Sequence, residues 1–311
     1  MHGIFDTADL WILSGTKIGL GYVLASNCYD VWAANHRGNN YSRRHVKLDP
    51  NKDPEYWNYS FDEHGNFDVP AIIDYILRTT GQSKLFYVGH SQGSTDYFVM
   101  GSLRPEYNDK VRLAIQLGPV AWMKNFNNPV GVIGARNYVA IKAFIDNAGL
   151  IEIFARDHIV HFILEFFCQM APRFCDLGFS ITTGYKPGTI PLKDIPVAIG
   201  HLFSGTSIKN LAHFAQLVLS GNFQRYDEGT AGNTDRYETP KPPQYNKKKH
   251  PHLRCTGGTH NKNIFHDFIL PLCRRNLYGV SVPNYRFLVL RVSELSCGRT
   301  DGHGETIRVP C

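Results

Sequence analysis

With 311 residues, the chain is long enough for roughly two ordinary units and for a large buried core. Hydrophobic residues at 43% against 19% charged exclude an intrinsically disordered chain, and no run approaches the ~18 uninterrupted apolar residues of a membrane span. The net charge of +6 is mild and is not gathered into a basic face, so nucleic acid is not expected as a partner; the one dense run, Lys247, Lys248, Lys249 and His250, reads as a solvated loop.

In chain order, residues 1–6 carry neither a charged n-region nor an apolar h-region, so no signal peptide is expected. Residues 29–33 read as a strand. Asn40-Tyr41-Ser42 and Asn58-Tyr59-Ser60 are glycosylation sequons, meaningful for a secreted chain. Over residues 71–80, Ile72, Ile73, Ile76 and Leu77 give one apolar helical face, with Gly81 as the stop signal. Residues 84–88 and 112–117 read as further strands, and residues 92–103 as a helix ended before Pro105. This alternation of strand and helix predicts an α/β fold with a parallel sheet and covering helices.

From residue 121 to 225 the pattern becomes aromatic-rich and helical, interrupted by Pro172, Pro187 and Pro191, which predicts a helical insertion. The remaining stretch, 226–311, is weakly patterned, with a single clear strand at 285–292. The seven cysteines include no C-x-x-C, so neither zinc nor any other metal is expected. Cys168 and Cys175 are near enough to bridge in an oxidising compartment, and two buried free thiols are an equal alternative.

Gly89-His90-Ser91-Gln92-Gly93 places G-x-S-x-G between a predicted strand and a predicted helix, the context of a nucleophile elbow. Such a turn admits only small residues beside the nucleophile, and it lifts the Ser91 hydroxyl above the sheet edge. The Gln92 N–H then lies at a helix N-terminus, where donor and dipole both favour a developing oxyanion. A second donor belongs on a loop after an earlier strand; His2-Gly3-Ile4 fits, with the Ile4 N–H as donor. Serine is a weak nucleophile unaided, so a histidine base and an orienting carboxylate are required, in the chain order Ser, Asp or Glu, His.

The chain resembles the acid lipase family of α/β-hydrolases, which contains lysosomal, gastric and insect lipases. The matching residues are His2-Gly3-Ile4-Phe5-Asp6, Asn35-His36-Arg37-Gly38-Asn39, Ser60-Phe61-Asp62-Glu63, the run 87–93, and later Gly205-Thr206-Ser207, Asn210, His213 and Pro242-Pro243. The motifs span about residues 2–246. The resemblance implies an α/β-hydrolase core over 1–120, a helical cap over 121–225 and a return to the core over 226–311. It also implies an acyl-serine mechanism on lipid esters of the triacylglycerol or cholesteryl ester class at a lipid–water interface, without a cofactor, in a secreted or lysosomal protein. His90 belongs to the elbow and is not the base, and His213 is expected to be structural.

Two features depart from the family pattern. Met1 abuts the His2-Gly3 loop, so the first strands are expected to be missing and the sheet incomplete. After Asn246 the triad segments are not recognisable: Gly257-Gly258-Thr259-His260 has no aspartate, and Asp267, Asp301 and His303 are candidates by order alone. The alternative expectation is therefore a non-catalytic lipase-like protein that binds lipid or a partner.

Overall fold

The computed structural model describes residues 1–148, 152–153, 159–183, 186–188, 190–201 and 203–246, and the segments 253–256, 278–282, 285–292, 298–300 and 306–308. In its first part, α1 (Leu20–Ser26), β1 (Val31–Ala34) and β2 (Arg44–His45) precede α2 (Phe61–Glu63), which runs through a π-helical turn (His64–Asp68) into α3 (Val69–Thr80). Then come β3 (Leu85–His90), α4 (Gln92–Leu103) and β4 (Val111–Leu117). The helices α5 (Pro129–Arg136), α6 (Tyr138–Asn147), α7 (Ile159–Met170), α8 (Pro172–Thr183) and α9 (Ile195–His201) follow. The chain returns through α10 (Ile208–Ser220) and α11 (Gly229–Tyr237) to β5 (Leu253–Thr256), β6 (Tyr278–Val282) and β7 (Tyr285–Val292), ending in a hairpin of β8 (Gly298–Thr300) and β9 (Thr306–Arg308).

The expected helix at 71–80 begins earlier, at Val69, and continues the π-helical turn before it, Val69 N donating to His64 O five residues back. It stops at Gly81, whose φ of 68° is the left-handed cap position that glycine adopts without strain. Ser60 starts the preceding turn with a capping box: its hydroxyl accepts from Asp62 N, and Glu63 reaches back to the Ser60 N–H at 2.7 Å.

β3, β4 and β5 form a parallel sheet in that order, with Val88 opposite Ile115 and Ile115 opposite Arg254. The strand expected at 29–33 is β1, and it does not join this sheet. It pairs antiparallel with β7, Val31 opposite Val292, while β6 hydrogen-bonds to β7 in register Val282 to Tyr285. An unpaired strand edge needs a partner for its N–H and C=O groups. The β-favouring run of β7 supplies one here. On β3, the edge away from β4 is met at its C-terminal end by Met1, whose amino group donates to Val88 O at 2.8 Å and whose carbonyl accepts from His90 N at 3.0 Å.

The main core packs α3 and α4 against the sheet and the 53–61 segment, burying Tyr56, Tyr59, Phe61, Tyr97, Met100 and Leu217 almost completely. A smaller cluster of Cys168, Cys175, Ile195 and Ile199 joins α7, α8 and α9. Cys168 and Cys175 form a disulfide with Cα atoms 5.6 Å apart, which decides between the two readings of that pair. Among the described residues no helix is long and apolar enough to cross a membrane.

The π-helical turn lies directly on α4. A Cβ at Gly65 would fall 2.5 Å from Val99 Cβ and 2.6 Å from Asp96 O. Gly65→Ala must therefore separate two packed backbones, and it is expected to destabilise the chain by about 2 kcal/mol or more, read as a lower urea midpoint; an unchanged midpoint would refute the close approach.

Candidate active site

β3 delivers the chain to Ser91 and α4 leads it away, and the turn between them is strained. Ser91 has φ 49° and ψ −115°, a positive-φ conformation rare for a residue with a side chain. Its N–H donates to Leu117 O at 3.0 Å at the end of the neighbouring strand, and its carbonyl accepts from Ser94 N at 2.9 Å. The flanking glycines are required sterically. A Cβ at Gly89 would strike Gln116 Oε1 and the Gly93 backbone, and one at Gly93 would lie 2.5 Å from Met1 O. Tyr87 OH, donating to Gly93 O at 2.7 Å, ties the start of α4 back to β3.

The structure brings the 2–6 loop against this turn. A Cβ on Gly3 would lie 3.1 Å from Ser91 Cβ and 3.0 Å from His90 Nδ1, so Gly3 packs directly against the Ser91 turn. The loop is held from outside by the chain after β1. His2 Nδ1 lies 2.8 Å from Gly3 O and Nε2 accepts from His36 N at 3.2 Å, which puts the ring proton on Nδ1. Asn35 Oδ1 accepts from Ala8 N at 2.9 Å, and Asn39 Nδ2 donates to Asp6 O at 3.0 Å. From the other side Ser204 N donates to Phe5 O at 2.8 Å. Gln92, as the first residue of α4, has an N–H without an intrahelical acceptor.

The remaining sequence candidates are placed unequally. His90 Nδ1 sits 3.3 Å from Asp6 Oδ2, on the rim of the turn. His213 is fully buried with its ring nitrogens 3.0 Å from Ser60 Oγ and 3.0 Å from Gln224 O, a structural arrangement remote from the elbow's hydrogen bonds. Among the described residues no imidazole is hydrogen-bonded to Ser91 Oγ. Asp267, Asp301 and His303 lie outside the described residues, as do the residues after Thr256 where the family pattern puts its aspartate.

Behind the elbow lies a polar cluster that sequence reasoning missed. Asp96, on the second turn of α4, is fully buried; its Oδ2 is 2.5 Å from His36 Nε2 and its Oδ1 is 3.8 Å from His64 Nδ1. The signal for it was a lone carboxyl in the otherwise apolar stretch Tyr97-Phe98-Val99-Met100, since a buried acid demands a partner. Burial pushes His36 down to about 3 and Asp96 well above the carboxylate range, so their common proton resides on the carboxyl and His36 stays neutral. Among the described residues His36, His64 and Asp96 are the one group whose donor atoms come near enough for a metal. The geometry fits a hydrogen-bonded cluster instead. The His36 and His64 rings stack at 4.7 Å with 19° between planes, and the 2.5 Å contact leaves no space for an ion between His36 and Asp96.

A second buried network joins the 60–63 turn to the chain's return. Arg225 donates to Asp62 Oδ2 at 2.7 Å, and Tyr245 OH donates to Asp62 Oδ1. Burial pushes the Asp62 carboxyl up, but these donors outweigh it and hold it below the usual carboxylate range.

Comparison with known proteins adds to this geometry. A model of the α/β-hydrolase fold family matches residues 1–137. Lipase member K of Homo sapiens is 32% identical over 303 residues, covering 94% of this chain and 74% of that protein. Gastric triacylglycerol lipase of Bos taurus is 34% identical over 92% of this chain and 73% of its own length. Lysosomal acid lipase/cholesteryl ester hydrolase of Homo sapiens is 32% identical over 79% of this chain and 62% of its own length. The first two alignments extend the similarity past Asn246, where the recognisable motifs end.

The buried histidines carry a pH consequence. His213 is lowered to about 4 by burial, against 6.5 in an unfolded chain. The unfolded state therefore takes up a proton that the folded state refuses, and stability falls as pH drops from 6.5 towards 4. That neutral histidine costs about 1.4 kcal/mol per pH unit, or about 2 kcal/mol by pH 5. His213→Gln, which keeps a donor for Gln224 O, is expected to lose about 2 kcal/mol less than the parent between pH 7 and pH 5 in urea titrations. Equal losses in both chains would refute the assignment.

Proposed function

The chain belongs to the α/β-hydrolase family of lipases that includes lipase member K and gastric triacylglycerol lipase, and on that premise we propose that it hydrolyses fatty-acyl esters of neutral lipids through Ser91. The observation that carries the proposal is the strained Ser91 at the junction of β3 and α4, with the Gly3–Ile4 loop packed against it. In the proposed reaction Ser91 Oγ attacks the ester carbonyl carbon while a histidine takes its proton. The carbonyl oxygen becomes an oxyanion, received by the N–H groups of Gln92 and Ile4, and collapse expels the alcohol with the proton returned by the base. Water then attacks the acyl-serine by the reverse proton path and releases the fatty acid. The base and its carboxylate come from residues outside those described, Asp267, Asp301 and His303 being the candidates by chain order.

We propose that residues 1–120 and 226–311 form the hydrolase core and that 121–225 form its cap. Several cap side chains support contact with a lipid–water interface: Phe144, Phe162, Phe166, Met170 and Phe174 each expose more than half their surface, apolar area that is costly in water. A secreted or lysosomal location is supported by the names of the gastric and lysosomal relatives and by the Cys168–Cys175 disulfide, which persists in an oxidising compartment. The triacylglycerol and cholesteryl ester classes are the substrates in those relatives' names, and we propose that class here.

The test is labelling of the whole chain by a fluorophosphonate, with hydrolysis of a short-chain acyl ester measured beside it. Ser91→Ala is expected to abolish labelling and to lower hydrolysis by about 10⁴ or more, the usual cost of losing a nucleophile. Failure of a cooperatively folded parent chain to label would sink the esterase reading in favour of a lipase-like lipid-binding protein.

A further inference from the structure

The Gln92 side chain is buried and bonded at both polar ends to different parts of the fold. Its Nε2 lies 2.8 Å from His64 Nδ1, and its Oε1 lies 2.8 Å from Asn210 Nδ2 on α10. Asn210 Oδ1 in turn lies 2.9 Å from Phe61 N. The direction of this chain is fixed from one end. A backbone N–H can only donate, so Asn210 Oδ1 accepts from Phe61; Asn210 Nδ2 must then donate to Gln92 Oε1, and Gln92 Nε2 must donate to His64 Nδ1. His64 is therefore the neutral tautomer with its proton on Nε2. Its ring cannot swing away, because it stacks on His36, which Asp96 holds at 2.5 Å.

The N–H of a helix's first residue has no i−4 acceptor, so the Ser91–Gln92 peptide is held by the backbone at its carbonyl end alone, where Ser91 O accepts from Ser94 N at 2.9 Å. At Gln92 the preceding residue is also the strained Ser91. We propose that His64 and Asn210 are positioning residues that fix the Gln92 peptide plane, and with it the N–H aimed at the oxyanion, through the two ends of the Gln92 side chain. The proposal rests on the reading of Gln92 as an oxyanion donor. It links the elbow to α10, the helix by which the chain returns from 121–201, and to the turn that follows the Ser60 capping box. Neither His64 nor Asn210 needs to touch substrate.

His64→Leu removes the acceptor, whereas His64→Asn places an amide oxygen near the former Nδ1. His64→Leu is expected to slow phosphonylation of Ser91 about tenfold or more, as misplacement of one donor would, with reversible binding of the probe unchanged. His64→Asn is expected to recover most of that loss. Amide hydrogen exchange of residues 89–103 is measured on the same proteins, with faster exchange expected in His64→Leu at Ser94, whose N–H donates to the carbonyl of the Ser91–Gln92 peptide at 2.9 Å, and parent-like exchange in His64→Asn. Where His64→Leu does not fold cooperatively, Asn210→Ala serves as the disrupting variant. The proposal is overturned if the disrupting variant labels and exchanges like the parent, or if His64→Asn is as slow as His64→Leu. A parent chain that does not label defeats the esterase reading alone; the exchange at Ser94 still decides whether the tie exists.

Discussion

The close approach of backbones at Ser91 is the constraint from which the rest of the site follows. β3 must turn into α4 within one residue, so Ser91 takes φ 49°, a cost of about 1–3 kcal/mol that surrounding contacts must offset. The absence of Cβ atoms at Gly89, Gly93 and Gly3 lets Gln116, Met1 and Ser91 come to van der Waals distance or nearer. Sheet, helix and the 2–6 loop thereby converge on one hydroxyl. The strain is held by hydrogen bonds from three sides: Ser91 N to Leu117 O, Tyr87 OH to Gly93 O, and His90 N to Met1 O.

The core around this turn is unusually polar, and its polar groups are mostly paired in ways that fix direction. Arg37 meets Asp68 with Nε 2.8 Å from Oδ2, Arg225 and Tyr245 meet Asp62, and His36 meets Asp96. Buried pairs of this kind add little net stability over an apolar core, but removing one partner leaves an uncompensated charge or, for the neutral His36–Asp96 pair, an unsatisfied polar group. Their consequence here is geometric. The Asn35–Asn39 stretch after β1 holds the 2–6 loop, the 60–68 turn receives both α10 and the chain's return, and Gln92 stands where these networks meet α4.

Much of the elbow was legible in the sequence because it depends on local rules. Glycines at 89 and 93 flank a serine between an apolar strand and a helix, and α4 occupies the expected 92–103. Gly81 marks the end of α3 for a backbone reason that acts within a few residues. The partner of β1 was not legible, because strand pairing depends on which edges meet after collapse, and β7 lies at Tyr285–Val292, near the other end of the chain. The Cys168–Cys175 bridge was left open by spacing alone and decided by the packing of α7 against α8 and α9.

The sequence by itself determined the α/β class, the strand–Ser91–helix turn and the family, since strand and helix periodicity and the run 87–93 are encoded by neighbouring residues. Tertiary structure alone decided what supports that turn. His64, Asp96 and Asn210 are far apart in the chain and unremarkable singly; a buried carboxyl, imidazole or amide acquires its role only from the partner that folding brings within hydrogen-bond distance.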